Sequence, residues 1–475
     1  MRSLRALTVL MAVLALLLAA CGSDSAEPEP GPGAATDGDD TAAGEGGEGG
    51  ELSVWIGFTD YRLDWMNERA SEFEEAHPEY TVAVQGYDSY EALFQATQLA
   101  AEQGDPPAIV QYFEVATQEA RDAVKPDGTP LFASVEAEVD GRDEILGEPV
   151  VLEDVVEAAR NYYTIDGEFT SMPWNTSSTL LYANADLMEA GGVTEAPTTW
   201  EELEAACEQI RASDEAPENC ITWPNHGWFF EQSVGQQGGL LANNDNGRDG
   251  RATEVTLDDP AMLEFAGWWA EQAEAGNYVY TGTQRDWEGT QNAFVAQQVP
   301  FILTSSGDAT AVVEAGTEAG FGVEVARMPY NGEVTYDGNL IGGATLWLVN
   351  GLDEPVSEGA LAFMQFVNNP ENAADWHKTT GYIPITNASV DLLEEEGWFE
   401  ENPYHRVANE QLDAASGSPA STGALLGAFV GVRDVMTQAM EDVLVSGADP
   451  QERFEQANEE AQAMLDEYNS LYVTE

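Results

Sequence analysis

Apolar residues along the chain recur with two periods that take turns, and that alternation sets the expectation for the fold. LSVWIGF from Leu52, TVAVQGY from Thr81 and AIVQYF from Ala108 are short apolar-rich runs of strand character. Between the first two, Leu63, Met66, Ala70 and Phe73 fall at helical spacing, so residues 62–77 read as an amphipathic helix. A second helix opens at Ser89, whose hydroxyl suits an N-cap, and runs to Gln103 before Gly104 stops it. Strands alternating with helices predict parallel sheets with helices on both faces, an α/β architecture. Such sheets bind ligands beyond the carboxyl ends of their strands, where Tyr87, Asp88, Ser89, Tyr90 and Glu114 fall.

The later chain carries the same signals. TLLYAN from Thr179, FILTSSGDA from Phe301, FGVEVARMPY from Phe321 and GGATLWLVN from Gly342 are further strand candidates. Thr199 caps a helix with early acids, and the longest helical patterns are 428–445 and 450–468. In PENAADWHKTTGYIPIT, Asn369 caps a helix with Pro370 in its first turn, and Gly381 ends it. Tyr382 to Ile385 must then run extended, because Pro384 pushes its predecessor out of the helical region.

Length and charge narrow the picture. At 475 residues, two lobes are the default. The 86 acidic residues against 17 basic ones leave a net charge of −69, yet the 12 Trp, 16 Tyr and 17 Phe require folded cores. The charge therefore coats a folded surface, which argues against nucleic acid or anionic lipid as a partner and suits a halophilic setting. Arg2 and Arg5 precede an apolar run, Ala6 to Ala20, that ends in LAAC. Residues 1–20 read as a signal peptide, and LAAC resembles a lipobox that makes Cys21 the acylated residue. Residues 21–50 read as a flexible acidic tether. Cys207 and Cys220 are either a disulfide or two buried thiols.

Catalytic signatures are missing: the chain contains no Gly-Lys pair of a phosphate loop, no H-E-x-x-H and no G-x-S-x-G. His77, His226, His377 and His405 show no ligand spacing, so neither metal nor cofactor is expected, and no enzyme activity.

AIVQYFEVAT, SMPWNTSSTLLYANAD, LTSSG, LIGGATLWLV, PENAADWHKTTGYIPIT, GWFEENP and GVRDV occur in an order and spacing that resembles the family-1 extracellular solute-binding proteins of ABC importers. Within that family the resemblance is closest to the glycerol-3-phosphate-binding branch. It implies a two-lobe, maltose-binding-protein-like fold (type II) with a hinge and an interlobe cleft. The lobes implied are 51–171 with 307–347, and 173–303 with 349–475. It also implies a monomer that delivers a phosphorylated glycerol, either sn-glycerol 3-phosphate or a glycerophosphodiester, to a membrane permease.

The ligand residues of that branch fall on Tyr90, Glu114, Ser177, Ser305, Gly343, Tyr382 and Arg433. Their chemistry is coherent: Arg433, three hydroxyls and the Gly343 N–H are donors for a phosphate, while Glu114 and Tyr90 suit a glycerol. Read alone, Arg433 would be a surface ion pair with Asp434 or a neighbouring helix. The branch also walls the glycerol with two tryptophans. Trp228 supplies the second, and the first aligns with Asn225 or with Trp223. That departure leaves room for a bulkier diester such as glycerophosphocholine, whose headgroup wants a cation–π partner. The alternatives are a binder of neutral oligosaccharides on the same fold, or a secreted phosphodiester hydrolase.

Overall fold

The computed structural model describes residues 49–213 and 216–472. The expected signal peptide, the Cys21 lipid site and the tether up to residue 48 lie outside the described residues.

The first lobe is built on β1 (Glu51–Ile56), β2 (Thr81–Gly86) and β3 (Ile109–Phe113), all parallel, with α1 (Tyr61–Ala76) and α2 (Tyr90–Gln103) as the crossovers. Local chemistry sets these helices: Asp60 and Ser89 accept from backbone N–H groups at the two starts, and Gly104 closes α2 in the left-handed region at φ 77°. Two antiparallel strands, β4 (Phe132–Ala133) and β5 (Met172–Ser177), complete this sheet through a strand from far down the chain.

After Ser177 the chain leaves for a second sheet. This holds β6 (Thr179–Asn184), β7 (Ile221–Thr222), β8 (Phe301–Ser305) and β9 (Val323–Arg327), in the order β7-β8-β6-β9. Around it pack α3 (Trp200–Arg211), α4 (Gly227–Gln236), α5 (Pro260–Glu274), α6 (Trp287–Val295) and α7 (Ala309–Ala319). The strand β10 (Gly342–Val349) then returns to the first sheet and pairs antiparallel with β3, β4 and β5. Two helices follow, α8 (Glu354–Val367) and α9 (Pro370–Thr380). The chain ends in α10 (Phe429–Ser446) and α11 (Pro450–Tyr472).

These pairings correct the expected lobe boundaries. Val323–Arg327 lies inside the stretch 307–347 assigned to the first lobe, yet β9 pairs with β6 of the second sheet along five residues. Conversely α8, inside the stretch 349–475 assigned to the second lobe, packs on α1, β1 and β10 of the first. The chain passes between the sheets at Ser178 and between Arg327 and Gly342. Ladder partners decide this, and they are not encoded within a strand's own residues.

Each lobe has an aromatic centre. Trp65, Trp174 and Trp376 pack together in the first, and Trp223, Trp268, Trp269 and Tyr278 in the second. Cys207 and Cys220 form a disulfide that ties α3 to the strand entering β7. Among the described residues, no helix is long and apolar enough to cross a membrane.

Candidate functional site

The strand ends meet at one place. Pairing of β5 with β10 puts Ser177 opposite Gly342 and Thr176 opposite Gly343, and pairing of β6 with β8 puts Ser305 opposite Thr179. The extended segment after α9 docks on the same spot, its Ile383 N–H donating to Thr176 O at 2.8 Å. Gly381 makes that docking possible. It sits at φ 103°, and a Cβ there would stand 2.4 Å from the Ser306 carbonyl oxygen. Gly343 has φ 93°, and its own Cβ would collide with the Asn175 carbonyl at 1.7 Å. Ser177, Ser305, Gly343 and Tyr382 are thereby gathered from four distant segments.

They line a cavity of about 600 Å³ between the lobes, and Tyr90, Glu114, Trp228 and Arg433 line it too. Tyr90, in the first turn of α2, stacks on Phe113 at 5.5 Å, and its hydroxyl accepts from Asn175 Nδ2 at 2.7 Å. Tyr382 stacks on Trp376 at 5.6 Å, and burial raises its phenol above the ordinary value. The Trp228 ring lies against Gly342, where a Cβ would stand 2.3 Å away.

Arg433 is not a surface ion pair. It projects from α10 and is buried, with Nε and Nη2 donating to the two carboxylate oxygens of Glu231 at 2.6 and 2.9 Å. Nη2 also donates to Glu114 Oε1, at 2.6 Å across the cleft. Asp434 pairs with Arg285 instead. Burial works against the guanidinium's charge, but Glu231 and Glu114 outweigh it and hold Arg433 firmly protonated. For Glu114, burial wins: its carboxyl is raised to about 6, with Arg433 pulling down and Glu231 pushing up. The triad of one guanidinium and two carboxylates is thus net negative at neutral pH. Arg433 Nη1 has no protein partner among the described residues.

Sequence reasoning missed several residues that line the cavity or hold those that do. Neither Asn225 nor Trp223 lines the cavity. Asn225 is buried and donates to Thr437 O, while Trp223 is stacked in the second lobe's core. Trp287, at the start of α6, does line the cavity, 6.3 Å from Trp228. Glu231 was visible only as the single charge in the apolar helix GWFFEQSVG. Arg62 and Asp60, which follow the carboxyl end of β1, line the cavity as well. Burial, then Arg433 and Arg285, hold His226 well below its ordinary value, and its Nδ1 accepts from Trp228 N–H at 3.0 Å. Among the described residues, no group of His, Cys, Asp or Glu is arranged to hold a metal ion.

Two α/β lobes that enclose a small-molecule-sized cavity where the chain passes between them define a solute receptor. The chain belongs to the bacterial extracellular solute-binding proteins, whose family model matches residues 68–406. It is 29% identical to the sn-glycerol-3-phosphate-binding periplasmic protein UgpB of Pectobacterium atrosepticum over 409 residues, 84% of this chain and 88% of that one. The UgpB of Salmonella typhimurium is also 29% identical, over 83% and 88% of the two chains. Among solved structures, UgpB from Mycobacterium tuberculosis in complex with glycerophosphocholine superposes with a TM-score of 0.71 at 20% identity, covering 88% of this chain and 98% of that one. The GacH receptor of Streptomyces glaucescens does so with 0.72 at 18% identity, covering 88% and 99%. The fold is that of the maltose-binding-protein-like receptors, and the chain is a solute-binding protein of an ABC importer.

Proposed function

We propose that this receptor captures sn-glycerol 3-phosphate or a glycerophosphodiester outside the cell and hands it to a membrane permease, as a monomer anchored through lipid on Cys21. The observation that carries this reading is convergence. Eight residues spread over more than three hundred positions, each of the type a phosphorylated glycerol needs, line one cavity. The phosphate meets the hydroxyls of Ser177, Ser305 and Tyr382, the Gly343 N–H and the free Nη1 of Arg433. The glycerol meets Glu114 and the Trp228–Trp287 wall. Ligand contacts come from both lobes, so the ligand favours closure about the chain passages between them, at Ser178, at 328–341 and between α9 and α10.

A second reading has its own support. Arg433 already holds two carboxylates, as it would in a receptor for neutral sugars that needs the arginine only for structure. Calorimetry on the Gly47–Glu475 unit, which carries every strand and helix described above, separates the two. Glycerol 3-phosphate, glycerophosphocholine and maltose are titrated in turn in high salt. Binding of a phosphate ligand that disappears in Arg433→Ala supports the proposal; binding of maltose alone overturns it. Anchoring is tested separately, since Cys21→Ser should release the full-length chain from membranes.

A further inference from the structure

A second guanidinium, that of Arg62, also lines the cavity and lies outside the proposed phosphate contacts. Arg62 lies 4.2 Å over the Phe58 ring. Phe58 packs edge-on against Tyr90 at 5.7 Å, Tyr90 stacks on Phe113, and Arg433 sits 5.9 Å from Phe113. The two arginines therefore cap the two ends of a row of three rings. Asp60 holds Arg62 in a fork, with Nε 3.0 and 3.1 Å from the two carboxylate oxygens and Nη2 2.6 Å from the second. Asp308 Oδ1 lies 3.9 Å from Nη1 on the remaining side. An aromatic face with two carboxylates beside it is the environment that recognises an organic cation. Here the chain fills that environment with its own side chain.

We propose that Arg62 is a specificity-determining residue. By occupying the Phe58–Asp60–Asp308 cation box, it excludes ligands with a quaternary-ammonium headgroup and favours a hydroxylated substituent on the phosphate. This rests on the phosphodiester reading of the cavity and names its headgroup class. Tyr382, whose ring is 6.4 Å from Phe58, stands beside the box at the Phe58 end of the row, with Arg433 at the Phe113 end. A diester whose phosphate sits at Tyr382 thus brings its second substituent within reach of Arg62. A hydroxyl can accept from Nη1 and donate to Asp308, whereas a trimethylammonium group meets a like charge where its own partners are already taken.

The test compares glycerophosphoglycerol with glycerophosphocholine by calorimetry on wild type and Arg62→Ala, with thermal unfolding as a check on folding. Wild type should bind glycerophosphoglycerol at least tenfold more tightly than glycerophosphocholine, and Arg62→Ala should narrow or reverse that ratio. Equal or tighter choline-ester binding by wild type, or a loss in the variant shared by both ligands, overturns the proposal. Tetramethylammonium, which carries no phosphate, makes the two failures distinguishable. Its binding to Arg62→Ala but not to wild type upholds the box even if no phosphate ligand binds, and its absence from both overturns it. Should Arg62→Ala unfold, Arg62→Ala combined with Asp60→Asn removes the unpaired carboxylate and repeats the comparison.

Discussion

Replacing Glu231 by glutamine should make the protein less stable and its phosphate ligand tighter, two effects of opposite sign from one side chain. Glu231 holds Arg433 through two charge-assisted bonds within a buried triad. Glutamine keeps one acceptor but turns an N–H₂ toward a guanidinium that can only donate. The loss is about 1.5–3 kcal/mol, the worth of a hydrogen bond to a charged group. It stays below the cost of an isolated buried charge because Arg433 keeps Glu114 at 2.6 Å. For binding, the substitution takes the triad from net negative to neutral. With a phosphate on the free Nη1 edge, roughly 8 Å from the Glu231 carboxylate, a unit repulsion at an effective dielectric of about 20 is about 2 kcal/mol. That corresponds to about thirty-fold in Kd.

The titration of Glu114 gives a second readout. Its carboxyl is raised to about 6, first by burial and in part by Glu231. In wild type, protonating Glu114 removes one negative charge beside the phosphate, so affinity for a diester, whose own charge is constant here, should rise as pH falls through 6. In Glu231→Gln that inflection should move to lower pH. Calorimetry between pH 5 and 7.5, with thermal unfolding at each pH, measures both effects. An affinity that falls tenfold or more while stability is unchanged would refute the electrostatic argument and leave Glu231 as an orienting group alone.

Three further outcomes follow from the same geometry. Gly307→Ala would bring a Cβ to 2.5 Å from the Tyr382 ring, so phosphate-ligand affinity should fall at least tenfold by calorimetry, with the far-UV spectrum unchanged. Replacing Cys207 and Cys220 by serine opens a loop of sequence separation 13, which should cost about 3 kcal/mol in denaturant unfolding and leave ligand affinity unaltered. Buried His377 and His405 are hydrogen-bonded to each other at 3.0 Å, and burial lowers them to about 4 and about 2. Folded values below the unfolded value near 6.5 contribute stability above that pH, which is lost as pH falls toward 4. Unfolding midpoints measured at pH 7 and pH 5 should therefore drop in wild type, and drop less in His377→Gln.

Local chemistry was legible, and long-range pairing was not. Ser89 and Gly104, Thr199, and Asn369 with Gly381 bound their helices as expected, because caps and stops depend on a few neighbouring residues. The destination of a strand depends on partners hundreds of residues away. Val323–Arg327 looks the same to a reader whether it joins β6 or the first sheet, and that ambiguity misplaced the lobe boundaries. The site divides the same way. Motifs carried by the family resemblance led to eight wall residues, all of which reach the cavity. Glu231 holds Arg433 from 202 positions away and shows in the sequence only as a lone charge in an apolar helix, while Trp287, 6.3 Å from Trp228 on the cavity wall, has no local signature.

The placing of the indoles has an optical consequence. Of the 12 tryptophans, Trp228 and Trp287 are the ones on the cavity wall, while those of the two aromatic centres are packed in the lobes. A ligand that displaces solvent from the wall changes the surroundings of those two chromophores and leaves the other emitters as a constant background. Occupancy is then readable from the unlabelled protein as a small blue shift on a steady signal, and Trp287→Phe would remove part of that shift without moving the background.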